Sequence, residues 1–312
     1  MHPRAMQPRG GVGLFNGMLE RLLTLVPLPP PLDISSSLEL FRRSGDDLVD
    51  RWDGTRLVRV LPTVNGAVPF VAVRSGTLEA PAFEVASCHP AVLRAVAETF
   101  VAAPPEYARL LESDVVLGAL DKRLPGVRQI RQLDLFTALV RCISAQQVNL
   151  RWAVTTRRRL AESFGTRLEV DGHVVYQLEP QRLAHVKPED IRALQFTTSK
   201  SQFIVAVAQA LVDGQVSLDQ LRSLPDEDVV RRLTTIRGIG RWSAEWVLAR
   251  TLGRAVVVAG DLGVRRAVGL AYLDTPLPGE PQVRQATAHW GASAGTAQAL
   301  LLHALGEGAF RP

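Results

Sequence analysis

Cysteine is nearly missing from this 312-residue chain: it has two, Cys88 and Cys142, far apart and in no Cys-x-x-Cys spacing. That excludes a cysteine-ligated zinc or iron–sulfur site and points to a reducing cytoplasm. Long apolar runs are also missing, since no stretch of about 18 apolar residues exists to span a bilayer, which argues for a soluble protein with no membrane partner. Residues 1–31 are rich in proline and glycine and interrupted by Arg4, Arg9 and Arg21, so they read as a flexible extension rather than a signal peptide; Met6 and Met18 leave a later start open. What is present is a globular composition, 46% hydrophobic and 21% charged, long enough for one large or two medium cores.

Secondary-structure signals divide the rest in two. Residues 32–103 read as a small α+β unit with an antiparallel sheet, strand-like from about Leu38 to Val85: β-rich runs at Arg56–Leu61, Val68–Arg74 and Thr77–Val85 are separated by Asn65-Gly66 and Ser75-Gly76, and a helix follows His89-Pro90. Residues 104–312 read as all-helical. Asp134 is placed to cap an amphipathic helix through Leu135, Phe136, Leu139, Val140 and Ile143, and further helical patterns run to Leu305, with one hairpin signal at Leu168–Leu178. The fold class is therefore mainly α with a small α+β amino-terminal domain.

The densest signal lies at 230–261. Gly238 and Gly240 flank Ile239 between an apolar run and a strongly helical one, so the chain turns sharply and opens a new helix. Glycine permits φ > 0, and the free amides of a helix start suit a phosphate. Between Arg231 and Arg266 there are eight arginines against two acids, Glu245 and Asp261, a local surplus of six beside a whole-chain net charge of +5. Such clustering favours a polyanion. Trp242 and Trp246 stand one helical turn apart and share a face. Asp261 precedes Leu262-Gly263-Val264 at a helix start, where it reads as an N-cap, a role compatible with carrying chemistry.

The segment Ile-Arg-Gly-Ile-Gly-Arg-Trp-Ser-Ala at 236–244, followed by Gly-Asp-Leu-Gly-Val-Arg-Arg-Ala at 260–267, closely resembles the helix-hairpin-helix and aspartate (HhH-GPD) signature of the DNA glycosylase superfamily, and within it the 3-methyladenine DNA glycosylase II family. The resemblance implies the HhH-GPD glycosylase fold, with the helix-hairpin-helix at 230–252, and a monofunctional glycosylase that hydrolyses the N-glycosidic bond of alkylated bases of the 3-methyladenine and 7-methylguanine type in base excision repair. The alternative is a non-catalytic helix-hairpin-helix protein that binds DNA backbone or lesions. Bifunctional relatives carry a lysine nucleophile where Trp242 stands, and indole forms no Schiff base; endonuclease III and its kin add clustered cysteines after the aspartate, which this chain lacks.

The resemblance also assigns roles. Asp261 is the catalytic carboxylate. Trp242, Trp246, Gln146 and Trp290 line the base pocket, where electron-rich rings attract a cationic base. Arg237, Gly238, Ile239, Gly240, Arg241 and Lys200 bind DNA. Gln147 stands where the family often has an apolar wedge that fills the vacated stack. Around Trp290 the family's Pro and Arg are replaced by the small residues Ala292 and Ala294, so a differently shaped site is expected. The implied partner is double-stranded DNA with damaged bases, met by a monomer in the bacterial cytoplasm at the nucleoid. No cofactor is required; the hairpin backbone at Thr234, Ile236 and Ile239 is a candidate site for a structural Na+ or K+.

Overall fold

The computed structural model describes residues 23–310. A five-stranded antiparallel sheet forms from β1 (Thr24–Pro27), β2 (Arg51–Trp52), β3 (Arg56–Thr63), β4 (Gly66–Gly76) and β5 (Pro81–Val85), in the order β1-β5-β4-β3-β2. β3 and β4 close through a short turn with Thr63 opposite Gly66. The strand expected over Thr77–Val85 starts only at Pro81. Thr77 and Ala80 close a turn on each other, and Gly76 takes φ +78° where a Cβ would stand 2.0 Å from the Ala80 carbonyl.

Two expectations for this region are corrected. The flexible extension through residue 31 ends earlier, because Thr24–Pro27 pairs with β5, and Leu28 and Leu32 donate backbone bonds to Pro81 (2.8 Å) and Leu78 (3.0 Å). An open sheet edge supplies the partners that the proline-rich sequence does not advertise. The rest of that expectation, residues 1–22, lies outside the described residues. Second, the strand-like reading from Leu38 gives way to α1 (Ile34–Arg43), capped by Asp33, whose side chain accepts from the Ser36 amide at 2.9 Å.

Alternation along β3 sets the two faces of the sheet. Leu57 packs with Leu38 of α1, Phe83 of β5 and Val92 and Val96 of α2 (Pro90–Ala97). Val58 and Val60 face Val175 of a second hairpin, β6 (Thr166–Val170) and β7 (His173–Gln177), which interrupts the helical region and covers the outer face.

The helices are α3 (Tyr107–Ser113), α4 (Val115–Arg123), α5 (Leu135–Ala145), α6 (Leu150–Phe164), α7 (Pro180–Leu183), α8 (Pro188–Ala193), α9 (Thr198–Val212), α10 (Leu218–Ser223), α11 (Asp226–Thr234), α12 (Arg241–Arg250), α13 (Leu262–Val268), α14 (Glu280–Thr287) and α15 (Ala294–Gly306). α5, capped by Asp134 on the Thr137 amide (2.7 Å), is buried over most of its length and forms the axis of one core shared with α6, α9, α11 and α12. A second core joins α3, α4, α13, α14 and α15.

Between sheet and helices lies a buried ionic network. Arg59 of β3 binds Asp50 (2.6 Å). Arg141 of α5 binds Asp47 (2.8 Å) and Asp50 (2.7 Å), and Arg157 of α6 binds Asp47 (2.9 Å). Burial pushes the Asp47 carboxyl up, but the Arg141 and Arg157 guanidiniums and the Val49 amide outweigh it and hold it at about 2.

Candidate active site

α11 and α12 meet at the turn 235–240. Gly238 there has φ +91°, and a Cβ on it would stand 2.1 Å from Cγ of Phe203, at the root of that ring, so a side chain is excluded twice over. Ile236 and Ile239 are buried and pin the turn from below, with the Ile239 amide donating to the Ile236 carbonyl at 3.0 Å. Gly240 caps α12 without a side chain, in open space. The result is an exposed helix start, the local geometry that suits an anion.

Asp261 lies across from this helix. Its Oδ1 accepts from the amides of Gly263 (2.8 Å) and Val264 (3.1 Å), capping α13, and its Oδ2 accepts from the indole Nε1 of Trp242 at 3.2 Å. Three donors from two helices thus fix the carboxylate, half-buried, at the corner where α12 and α13 converge. Each oxygen keeps lone-pair capacity, so the group can face a developing cation or accept a proton.

Other residues singled out in the sequence are distributed unevenly. Gln146 follows the last residue of α5, half-buried, and its Nε2 donates to the Gly238 carbonyl (3.2 Å), tying this turn to the hairpin. Gln147 is exposed and left-handed, φ +55°. Trp246 packs against the α5-centred core, with the Arg250 guanidinium 5.2 Å from its ring centroid.

Trp290 does not line an open pocket. It is 2% exposed, wrapped by the apolar faces of α13 and α15, with the Tyr272 ring centroid at 6.1 Å. Lys200 does not sit on the surface: it is 9% exposed, and its Nζ donates to the Ser144 carbonyl at 2.9 Å inside the fold. α9 packs its first turn against the end of α5, and burial lowers the lysine's pKa.

The arginine surplus is also partly spent. Arg231 pairs with Asp228, Arg241 with Glu227 (2.8 Å) and buried Glu245 (2.9 Å), and Arg254 with Asp226 (2.5 Å). These acids, except Glu245, stand just upstream of the segment counted in sequence, on the first turn of α11. Arg237 remains at the exposed turn, where among the described residues its partner is the neutral Gln202 (3.0 Å). Beside the corner an open cleft of about 620 Å3 is lined by Arg241, Arg265, Glu280, Pro281 and Arg284; the paired tryptophans are not among its walls.

Arg250, one of the eight arginines counted between Arg231 and Arg266, stands with the paired tryptophans. It stacks on Trp246, its Nε is buried without an acceptor, and its pKa is lowered by burial while the nearby Asp261 carboxylate pulls the other way. The spacing 242, 246, 250 was the available signal, one residue per helical turn on one face. Among the described residues no group of three or more His, Cys, Asp or Glu is placed to hold a metal ion, and no helix is long and apolar enough to cross a membrane.

Residues 140–292 match the family model of the HhH-GPD superfamily base excision DNA repair protein. A DNA-3-methyladenine glycosylase of Bacillus subtilis (strain 168) is 31% identical over 147 residues, 47% of this chain and 48% of that one. The chain spans about half the length of the curated relatives it matches first. Among solved structures, a 3-methyladenine DNA-glycosylase from Archaeoglobus fulgidus superposes with TM-score 0.78 at 23% identity, over 90% of this chain and 98% of that one. A Clostridium acetobutylicum 8-oxoguanine glycosylase/lyase, in complex with double-stranded DNA, superposes with TM-score 0.71 at 16% identity, over 90% and 93%. The fold is thus that of the HhH-GPD glycosylases, a mainly helical body with a small antiparallel sheet near its amino terminus.

Proposed function

We propose, on the match of residues 140–292 to the family model of the HhH-GPD superfamily base excision DNA repair protein, that this chain is a monofunctional DNA glycosylase that releases alkylated bases, of the 3-methyladenine and 7-methylguanine type, from double-stranded DNA. The observation that carries the reading is the Asp261 carboxylate, anchored by the α13 amides and the Trp242 indole beside the hairpin turn. The exposed amides at Gly240 and the Arg237 side chain grip one strand's phosphates, and the damaged nucleotide leaves the stack. As the bond from C1′ to the base nitrogen breaks, its electron pair departs with the base, and a base that is already cationic leaves neutral. Asp261 stabilises the sugar cation. Water then adds to C1′ and gives its proton to the carboxylate, leaving an abasic site.

Trp242 supports the monofunctional assignment, since an indole already donating to Asp261 offers no amine to attack the sugar. We assign base stacking to Trp242 and to the half-buried Trp246, whose ring also carries the Arg250 guanidinium. The turn's backbone carbonyls at Thr234, Ile236 and Ile239 are neutral oxygen donors of the kind a Na+ or K+ takes; that of Ile236, already accepting from Ile239, keeps a second lone pair. Bound there, such a cation would add positive charge under a phosphate. The chemistry assigned to Asp261 and water calls for no further cofactor. We take the working form as a monomer acting at the cytoplasmic nucleoid.

The decisive experiment incubates the full chain with methylated duplex DNA and follows released bases by chromatography. 3-Methyladenine or 7-methylguanine is expected, with the strand left uncut. Absence of any released alkylated base from folded protein overturns the assignment, and trapping of a covalent adduct with borohydride overturns its monofunctional part.

A further inference from the structure

Among the described residues no carboxylate pairs with the buried Lys200 ammonium, which donates instead to an unusual acceptor. A helix leaves its last carbonyls without intrahelical donors. At the end of α5, Gln147 turns left-handed (φ +55°) and carries the chain away, so no following amide closes on the Ser144 carbonyl; the Lys200 ammonium does, at 2.9 Å. A cation at a helix C-terminus also meets the negative end of the helix dipole.

The same serine is held from the other side. Its Oγ accepts from Arg157 Nη1 (2.8 Å) and donates to the Arg141 carbonyl (2.9 Å). Arg157 and Arg141 are in turn clamped by Asp47, and Arg141 by Asp50. Ser144 is therefore a fulcrum between α5, α6 and α9. Two residues on begins the turn 146–149, exposed at Gln147 and Asn149, with Gln146 tied to the Gly238 carbonyl and Asn149 capping α6 on the Trp152 amide (2.8 Å). The buried network that joins sheet to helices ends on a turn that faces outward beside the hairpin.

We propose that Lys200, Ser144 and Arg157 are positioning residues that hold the 146–149 turn rigid against the hairpin so that it can enter the duplex and take the space left by an extruded nucleotide. This rests on the glycosylase reading above. A rigid turn matters for opening a paired site, because unstacking costs a few kcal/mol that a mobile turn would have to meet while also losing its own freedom. It matters much less once the base is already unpaired.

The test compares one oligonucleotide carrying a single 7-methylguanine in two settings, fully paired and within a mismatched bubble, under single-turnover conditions with full-length protein. Lys200→Met is expected to lower the paired-to-bubble rate ratio by about tenfold, Ser144→Ala to lower it by a smaller factor, and Lys200→Arg to restore most of it. A purely structural role would lower both rates together and leave the ratio unchanged, which overturns the proposal. A 2-aminopurine beside the lesion gives a second readout, independent of bond cleavage: its fluorescence rise on binding should shrink in Lys200→Met. If the wild type releases base from neither substrate, the glycosylase reading has failed, and the fluorescence comparison still decides the positioning claim. A rise equal to that of the wild type overturns it.

Discussion

The turn at 235–240 is held from within, while the turn at 146–149 is held from outside. In the first, the positive φ of Gly238, the buried Ile236 and Ile239 and the bare helix start at Gly240 all fall between residues 236 and 240. In the second, left-handed Gln147 has no glycine to ease it, and its conformation depends on Lys200, Arg157 and, behind them, Asp47, up to a hundred residues away. A backbone conformation that the local residues favour needs no distant support. One that they disfavour costs about 1–3 kcal/mol and persists only where the surroundings over-determine it.

Asp261 stands beside the hairpin turn to which Gln146 is tied, and its removal is expected to have the largest effect. Asp261→Asn should reduce base release by about 10^3-fold or more in single-turnover assays while DNA affinity, read by fluorescence anisotropy, holds; comparable release by the variant would detach the chemistry from this corner. Next comes the outside anchor. Asp47→Asn should cost about 3 kcal/mol in denaturant unfolding, because it leaves two buried guanidiniums underpaired. The wild type carries a related pH signature. With the Asp47 carboxyl held at about 2 in the fold against 3.8 unfolded, its contribution to stability is complete above that unfolded value and disappears as pH falls through it towards 2. Unfolding midpoints that are flat in wild type and Asp47→Asn alike across that window would break the comparison.

Gly238→Ala probes the inside anchor. The strained φ and the collision with the root of Phe203 should together cost about 2–3 kcal/mol and weaken duplex binding, whereas Gly240→Ala, in open space, should do little. The smallest effect is expected from Trp242→Phe. Loss of one hydrogen bond to Asp261 should slow release by about tenfold with the melting temperature nearly unchanged, since about 1.4 kcal/mol corresponds to a factor of ten.

Legibility in the sequence followed the same division. The hairpin, the capping by Asp134 and Asp261 and the helical run after residue 134 were readable because each rests on neighbours a few positions apart. α1 and the edge strand β1 were not: one carries a short amphipathic pattern easily taken for a strand, and the other exists because an unpaired sheet edge accepts it. The arginine count misled because the acids that neutralise several of those arginines stand a few residues before the segment that was counted. The depth of Trp290 and Lys200 was not legible, since sequence position gives residue type but not burial; one closes a core and the other donates to a helix end.

What the chain order alone determined is the corner itself: two glycines, a tryptophan and an aspartate at intervals that local backbone preference and helical periodicity convert directly into a turn, a helix start and a capped carboxylate. What only the tertiary structure decided is which charges remain free and which are consumed, and how the opposing turn is held. Ion pairing and burial depend on distances in space between residues far apart in sequence, and no local propensity encodes those distances.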